Sequence, residues 1–316
     1  MRATWRVAQA LFVLAVLGFA ARLVARHWAE LRALSASLTP AWGAIAWSCG
    51  IVLVSYAVLI ATWQAMLRAW GSPIGALDGA RIWFVSNLGR YLPGKVWQIA
   101  AMGVMAQRVG VAPEAAVGSS LVIAVVNILA GFSVAALTGA ETYRLLGIAG
   151  PALWGPIVLL VVGTLSLPWT LAPALRLLGR LTKRQIVEPR LPVSAIAVAF
   201  LGCALAWALY GVAFQELSIG LIPGAGAGEA GPYVAVFTLS YLAGFLALFA
   251  PGGIGVREVS LGALLVGTGL STAAEATVLV LASRLWLTLL EILPGLMFLA
   301  WPRSRATLRE SVPPTT

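Results

Sequence analysis

Ala250-Pro251-Gly252-Gly253-Ile254-Gly255-Val256-Arg257-Glu258 interrupts an apolar run where a helix is otherwise expected, and it sets two charges directly after the interruption. Proline cannot continue the helical hydrogen-bond ladder, and glycine at 252, 253 and 255 lets the chain turn through conformations that other residues avoid. Whether such a break is an ordinary loop or a special feature depends on its solvent. In hydrocarbon, freed backbone groups are tolerated only where protein or a water-filled cavity satisfies them.

Composition decides the solvent. The chain has 316 residues, 60% of them hydrophobic and 10% charged, with a mean hydropathy of +0.94, whereas soluble domains carry about one quarter charged residues. Runs long enough to cross a bilayer recur at Val7 to Val24, Trp42 to Ile60, Ala116 to Leu137, Ala152 to Pro168, Val193 to Phe214, Tyr233 to Ala250 and Ala274 to Trp301. A crossing helix needs about 20 such residues. The expected fold is therefore all-α: a polytopic integral membrane protein of about 7–8 transmembrane helices, forming one domain over 1–302 with a short basic tail at 303–316. The segment from Val7 reads as a retained first helix rather than a cleaved signal, because the apolar stretch runs on through Leu23 and Val24.

The formal net charge is +10. In a soluble protein this would suggest nucleic acid, but here many basic residues fall between apolar spans, where orientation and anionic headgroups account for them. No zinc-finger spacing or basic heptad array supports a nucleic-acid partner. Arg176, Arg180, Lys183, Arg184 and Arg190 crowd one loop, whereas the stretch from Gln215 to Pro232 has no Lys or Arg. The first loop is thus expected to be cytoplasmic and the second external. Arg2 with Arg6, and Arg303 with Arg305 and Arg309, place both termini in the cytoplasm. The expected location is the plasma membrane, as a bacterial inner-membrane protein.

A second interruption stands earlier in the chain, at Ser86-Asn87-Leu88-Gly89-Arg90-Tyr91-Leu92-Pro93-Gly94-Lys95. Aligning Pro93-Gly94 with Pro251-Gly252 brings Gly110-Val111 within one residue of Gly269-Leu270, and each copy leads into a long apolar helix. Gly/Pro-interrupted segments at matching places in two halves mark transporter folds with a central site. The halves of this internal repeat are about 1–140 and 190–302, and the sequence leaves open whether they are inverted or parallel. It also leaves open which segment crosses and which re-enters.

Charge collects at these breaks. Arg90 and Lys95 flank the first, Arg257 and Glu258 follow the second, and Arg284 and Glu291 lie within the last apolar helix. An unpaired arginine there costs at least about 2.5 kcal/mol, so Arg284 needs a partner. Glu291 is seven residues on, about 10 Å along the same face, too far for direct pairing, which leaves Glu258 or a ligand phosphate. The expected guest is an anion, because arginine offers a planar fork of donors and helix N-termini point at the breaks. Asn87, Arg90, Lys95, Arg257, Glu258, Arg284 and Glu291 are the candidate binding residues, with Pro93, Gly94, Pro251, Gly252, Gly253 and Gly255 as hinges.

Several chemistries are disfavoured. His27 is the single histidine, which removes HExxH zinc sites and any histidine cluster. Cys49 and Cys203 both lie in apolar runs and read as packing residues. Gly89 to Val96 imitates a P-loop but lacks the Ser or Thr that would bind magnesium, and no strand precedes it. No metal, cofactor or enzymatic activity is expected.

On Asn87 through Lys95 with Arg108 and Gly110, and on Pro251 through Glu258 followed by Arg284, the chain resembles the lysylphosphatidylglycerol synthase transmembrane region family, the flippase-like domain proteins. The resemblance covers nearly the whole length, and the second block is the more specific. It implies a membrane module linked to lipid translocation. The cytoplasmic aminoacylating domain that some relatives carry has no counterpart here, so aminoacyl transfer is not implied. The sequence thus points to a translocator of an anionic phospholipid or lipid-linked glycan. The alternative is a non-catalytic accessory protein of envelope lipid or glycan synthesis, packing against a synthesis enzyme or a second copy of itself through small-residue faces such as Gly262 to Gly267.

Overall fold

The computed structural model describes residues 40–91, 96–139, 142–143, 154–167, 169–170, 191–226, 228–247, 253 and 255–300. The expected first span Val7 to Val24, His27, the basic loop from Arg176 to Arg190, the tail, Lys95 and the two Pro-Gly dipeptides lie outside the described residues. Among those described, all regular structure is helical: α1 (Trp42–Ala69), α2 (Ala76–Asn87), a 3-10 turn (Leu88–Tyr91), α3 (Val96–Gln107), α4 (Pro113–Thr138), α5 (Trp154–Leu165), α6 (Val193–Leu221), α7 (Ala230–Leu246), α8 (Val256–Gly267) and α9 (Ala273–Ala300).

Four helices are long and apolar enough to cross a membrane: Trp42–Ala69, Ala115–Thr138, Val193–Leu221 and Ala273–Ala300. They support an integral membrane protein. Two of the seven expected spans are shorter among the described residues. The run from Ala152 to Pro168 forms α5 over 12 residues, and the run from Tyr233 to Ala250 forms α7 over 17 residues.

Helix α1 runs past Ile60, where the hydropathy reading ended it, because the polar residues that follow are satisfied internally. Trp63 donates its indole N–H to Ser119 Oγ at 3.2 Å, and Gln64 Nε2 donates to the Gly75 carbonyl at 2.9 Å. A satisfied polar group no longer opposes burial.

Helices α1 and α6 pack side by side, and α6 also contacts α4 and α7. Lipid tails are as apolar as leucine, so close backbone approach rather than hydrophobicity drives such packing. Gly202 is the clearest contact: a Cβ there would lie 2.1 Å from Thr62 Oγ1. Outward faces remain apolar, with Leu53, Leu201 and Leu205 exposed.

The two interrupted segments form helical pairs. Helices α2 and α3 have 12 residues each, about 18 Å long against a hydrocarbon thickness of about 30 Å. They pack on each other, with Gly89 so close to the returning chain that a Cβ would lie 3.0 Å from the Gln98 backbone nitrogen. Helix α8, also 12 residues, packs on α7. There the backbones of Gly244 and Gly253 touch: a Cβ on Gly253 would lie 2.8 Å from the Gly244 carbonyl oxygen. Both Gly253 (φ +71°) and Gly255 (φ +88°) occupy the left-handed region that favours glycine. Helix α9 packs against α2 and α8 and so joins the two pairs.

Two apolar cores result. One is centred on Trp63, Met102, Val126 and Trp207, the other on Tyr56, Phe214, Phe237, Leu261 and Trp286. Tyr241 packs against both.

Candidate functional site

The described charged residues singled out in the sequence converge from three elements. Arg90 comes from the 3-10 turn after α2, Arg257 and Glu258 from the first turn of α8, and Arg284 and Glu291 from the middle half of α9. Arg90 Nη1 donates to Glu291 Oε1 at 2.5 Å. Arg284 Nη1 lies 3.3 Å from Glu258 Oε1. The seven-residue interval between Arg284 and Glu291 thus places them at two levels of one helix, and each takes its partner from a different interrupted segment.

In each pair the α9 member is the deeper one. Side-chain exposure is 7% for Arg284 against 24% for Glu258, and 6% for Glu291 against 27% for Arg90. The cluster therefore grades from an accessible margin to a buried floor.

Glu258 has a second role. Its Oε2 accepts the backbone N–H of Gly255 at 2.6 Å, satisfying one of the donors left open at a helix start. Glycine has no side chain to reciprocate, so the carboxylate alone ties the break to the first turn of α8. A carboxylate at this end is also favoured by the helix dipole.

Arg257 is held differently. It is 6% exposed, with its guanidinium carbon 4.7 Å from the Tyr241 ring centroid and 5.4 Å from that of Phe237. Such stacking is worth about 2 kcal/mol when desolvated. It leaves the in-plane N–H edge unused: Nη2 is buried and has no hydrogen-bond partner among the described residues. A buried guanidinium donor without an acceptor costs about 1–3 kcal/mol or more, and an anionic oxygen is the kind of group that would satisfy it.

Tyr241 was not singled out by the sequence reading. Its hydroxyl accepts a hydrogen bond from Arg90 Nη1 at 3.1 Å while its ring supports Arg257, so one side chain touches an arginine from each interrupted segment. The available signal was the pair Phe237 and Tyr241, four residues apart and hence on one face of α7.

Asn87 is also drawn in, though not to the arginines. It is 2% exposed, and its Oδ1 accepts Gln98 Nε2 at 2.5 Å, closing the α2–α3 pair beneath Arg90. On α4, Asn127 presents its backbone carbonyl to the Trp207 indole at 2.9 Å. Gly253 and Gly255 stand at the break as expected; Pro93, Gly94, Lys95, Pro251 and Gly252 are outside the described residues.

Among the described residues no three His, Cys, Asp or Glu side chains group to hold a metal ion. Cys203 is buried and free, and Cys49 is free and half-buried. The arrangement brings together three guanidinium groups, two carboxylates that pair with two of them, and two aromatic rings against the third. In comparison with known proteins, the chain matches no family model and no curated protein.

Proposed function

We propose that the protein is a membrane translocator that takes the anionic headgroup of a phospholipid or lipid-linked glycan into the arginine cluster while the acyl or prenyl tails stay in lipid. The observation that carries this reading is the buried Nη2 of Arg257, without an acceptor among the described residues, at the start of a half-length helix. Charged groups in membrane interiors are costly and rare, and they commonly mark substrate or ion pathways.

In this reading α2–α3 and α7–α8 are the interrupted segments of an internal repeat, and about 7–8 crossings complete the domain. The resemblance to the lysylphosphatidylglycerol synthase transmembrane region rests on the same two motifs. The plasma membrane is the site of action, with both termini cytoplasmic by the distribution of Arg and Lys. Glu258 and Glu291 neutralise the arginines in the empty state, and a headgroup phosphate competes with them on entry. That competition loosens the contacts between α9 and the two interrupted segments, giving movement its trigger. Nothing in this cycle requires bond chemistry, so the protein is not read as an enzyme.

Proteoliposomes test the reading. With a fluorescent phosphatidylglycerol in both leaflets, reduction by dithionite proceeds beyond the outer-leaflet fraction if the protein moves the lipid. Wild type is expected to do so, and Arg257→Gln to slow it about tenfold or more, the equivalent of 1.4 kcal/mol. Rates equal to those of protein-free vesicles, across several anionic headgroups, overturn the proposal.

A further inference from the structure

The charge pattern of the site is uneven in an informative way. Arg90 is met by Glu291 and Arg284 by Glu258, whereas Arg257 faces the rings of Phe237 and Tyr241 and keeps a buried Nη2 without an acceptor among the described residues. Resting on the translocator reading, we infer that the site takes a phosphodiester, a headgroup phosphate carrying one negative charge, and selects against dianionic phosphate monoesters.

Charge supports the choice. Among the five charged groups of the site that lie in the described residues, three arginines and two carboxylates leave one positive charge, which a diester cancels. A monoester carries about −1.5 to −2 at pH 7. Its extra charge would sit beside Glu258 and Glu291 in a poorly solvated site, where like charges repel strongly.

Shape supports it as well. Rings stacked on the face of Arg257 leave only its edge available, and a guanidinium edge presents N–H donors in a fixed plane. The two non-bridging oxygens of a diester match that edge. A monoester has a third oxygen that needs its own donor, and Arg90 and Arg284 each meet a carboxylate that this oxygen would have to approach. Specificity of this kind comes from a penalty on the wrong ligand as much as from contacts with the right one.

Glu258 sets the penalty and provides the test. Glu258→Gln removes one negative charge while an amide oxygen remains to accept the Gly255 N–H, so the first turn of α8 keeps its closure. The variant removes the carboxylate charge from beside Arg284 and leaves two surplus positive charges among the described groups, which a dianion satisfies.

The experiment measures binding of three probes to the full chain in detergent near pH 8: dioctanoyl phosphatidylglycerol, dioctanoyl phosphatidic acid and the soluble diester glycerophosphoglycerol. Wild type is expected to bind phosphatidylglycerol about tenfold or more tightly than phosphatidic acid, with Glu258→Gln cancelling or reversing that ratio. Arg257→Gln is expected to weaken both lipids. Glycerophosphoglycerol binding as well as the lipid supports the diester class and assigns its source to solution; weaker binding assigns it to lipid. Phosphatidic acid binding wild type as tightly as phosphatidylglycerol, with both lost in Arg257→Gln, overturns the diester inference and leaves the anion site standing. Affinities untouched by Arg257→Gln overturn the site itself.

Discussion

Arg90 and Glu291 are 201 positions apart in the chain and meet through a 2.5 Å contact between Nη1 and Oε1. The pair joins the 3-10 turn after α2 to the middle of α9.

Removing one member deprives the other of this contact, while Arg90 keeps its bond to the Tyr241 hydroxyl. Glu291 is 5% exposed, and breaking a buried ion pair from one side costs about 3–5 kcal/mol, whereas replacing both members with apolar groups of similar size is often neutral. Arg90→Met and Glu291→Leu are each expected to lower the unfolding midpoint in detergent sharply. The double variant is expected to recover most of the loss yet remain inactive in lipid flipping. Additive losses in the double variant would contradict the pairing.

The Arg284–Glu258 pair differs in depth and has a milder expected effect. Glu258 is more exposed than its partner, so water compensates part of the lost contact. Glu258→Gln is expected to cost about 1–2 kcal/mol, between the range of exposed pairs and that of buried ones, read as a small fall in the same midpoint. Glu258→Ala also leaves the Gly255 N–H without its acceptor and is expected to fall further.

Tyr241 separates two interactions within one residue. Tyr241→Phe keeps the ring under Arg257 and loses only the bond from Arg90, a hydrogen bond to a charged group worth about 1.5–3 kcal/mol. Tyr241→Leu loses the ring too, about 2 kcal/mol more when desolvated. Phosphatidylglycerol affinity is expected to fall modestly in the first and steeply in the second. Equal affinities would show that the ring does not position Arg257.

The contact of α7 with the α8 break makes Gly244 sensitive. An added Cβ would lie 2.8 Å from the Cβ of Arg257 and 3.4 Å from the Gly253 carbonyl oxygen, so Gly244→Ala is expected to cost about 1–3 kcal/mol by overpacking. Gly50, on α1, has nothing within 4 Å of its added Cβ. Gly50→Ala is expected to be neutral or stabilising by up to about 1 kcal/mol. Midpoints measured side by side check the contrast.

The helical membrane class was legible in the sequence, because composition and the length of apolar runs act locally. So was the need of Arg284 for a partner, since the cost of an unmatched intramembrane charge is independent of fold. The seven-residue interval likewise showed that Arg284 and Glu291 do not pair with each other, and Glu258 was one of two partners it left. The Arg90–Glu291 contact was not legible, because it depends on how distant elements pack rather than on any local pattern. Tyr241 was missed because an aromatic residue in an apolar helix has the appearance of core, and only three-dimensional packing lays its ring under a guanidinium. The span ends were blurred for a related reason: hydropathy penalises Trp63 and Gln64, whose polar groups turn out to be satisfied within the fold.

A density map of the full chain in phosphatidylglycerol nanodiscs tests the central claim most directly, since the proposals above turn on what Arg257 Nη2 touches. The account predicts a lipid phosphate within hydrogen-bond distance of that edge, with Tyr241 stacked behind it. Arg257 bonded instead to a carboxylate or carbonyl of the protein, with headgroups found only at the outer surfaces, would contradict it.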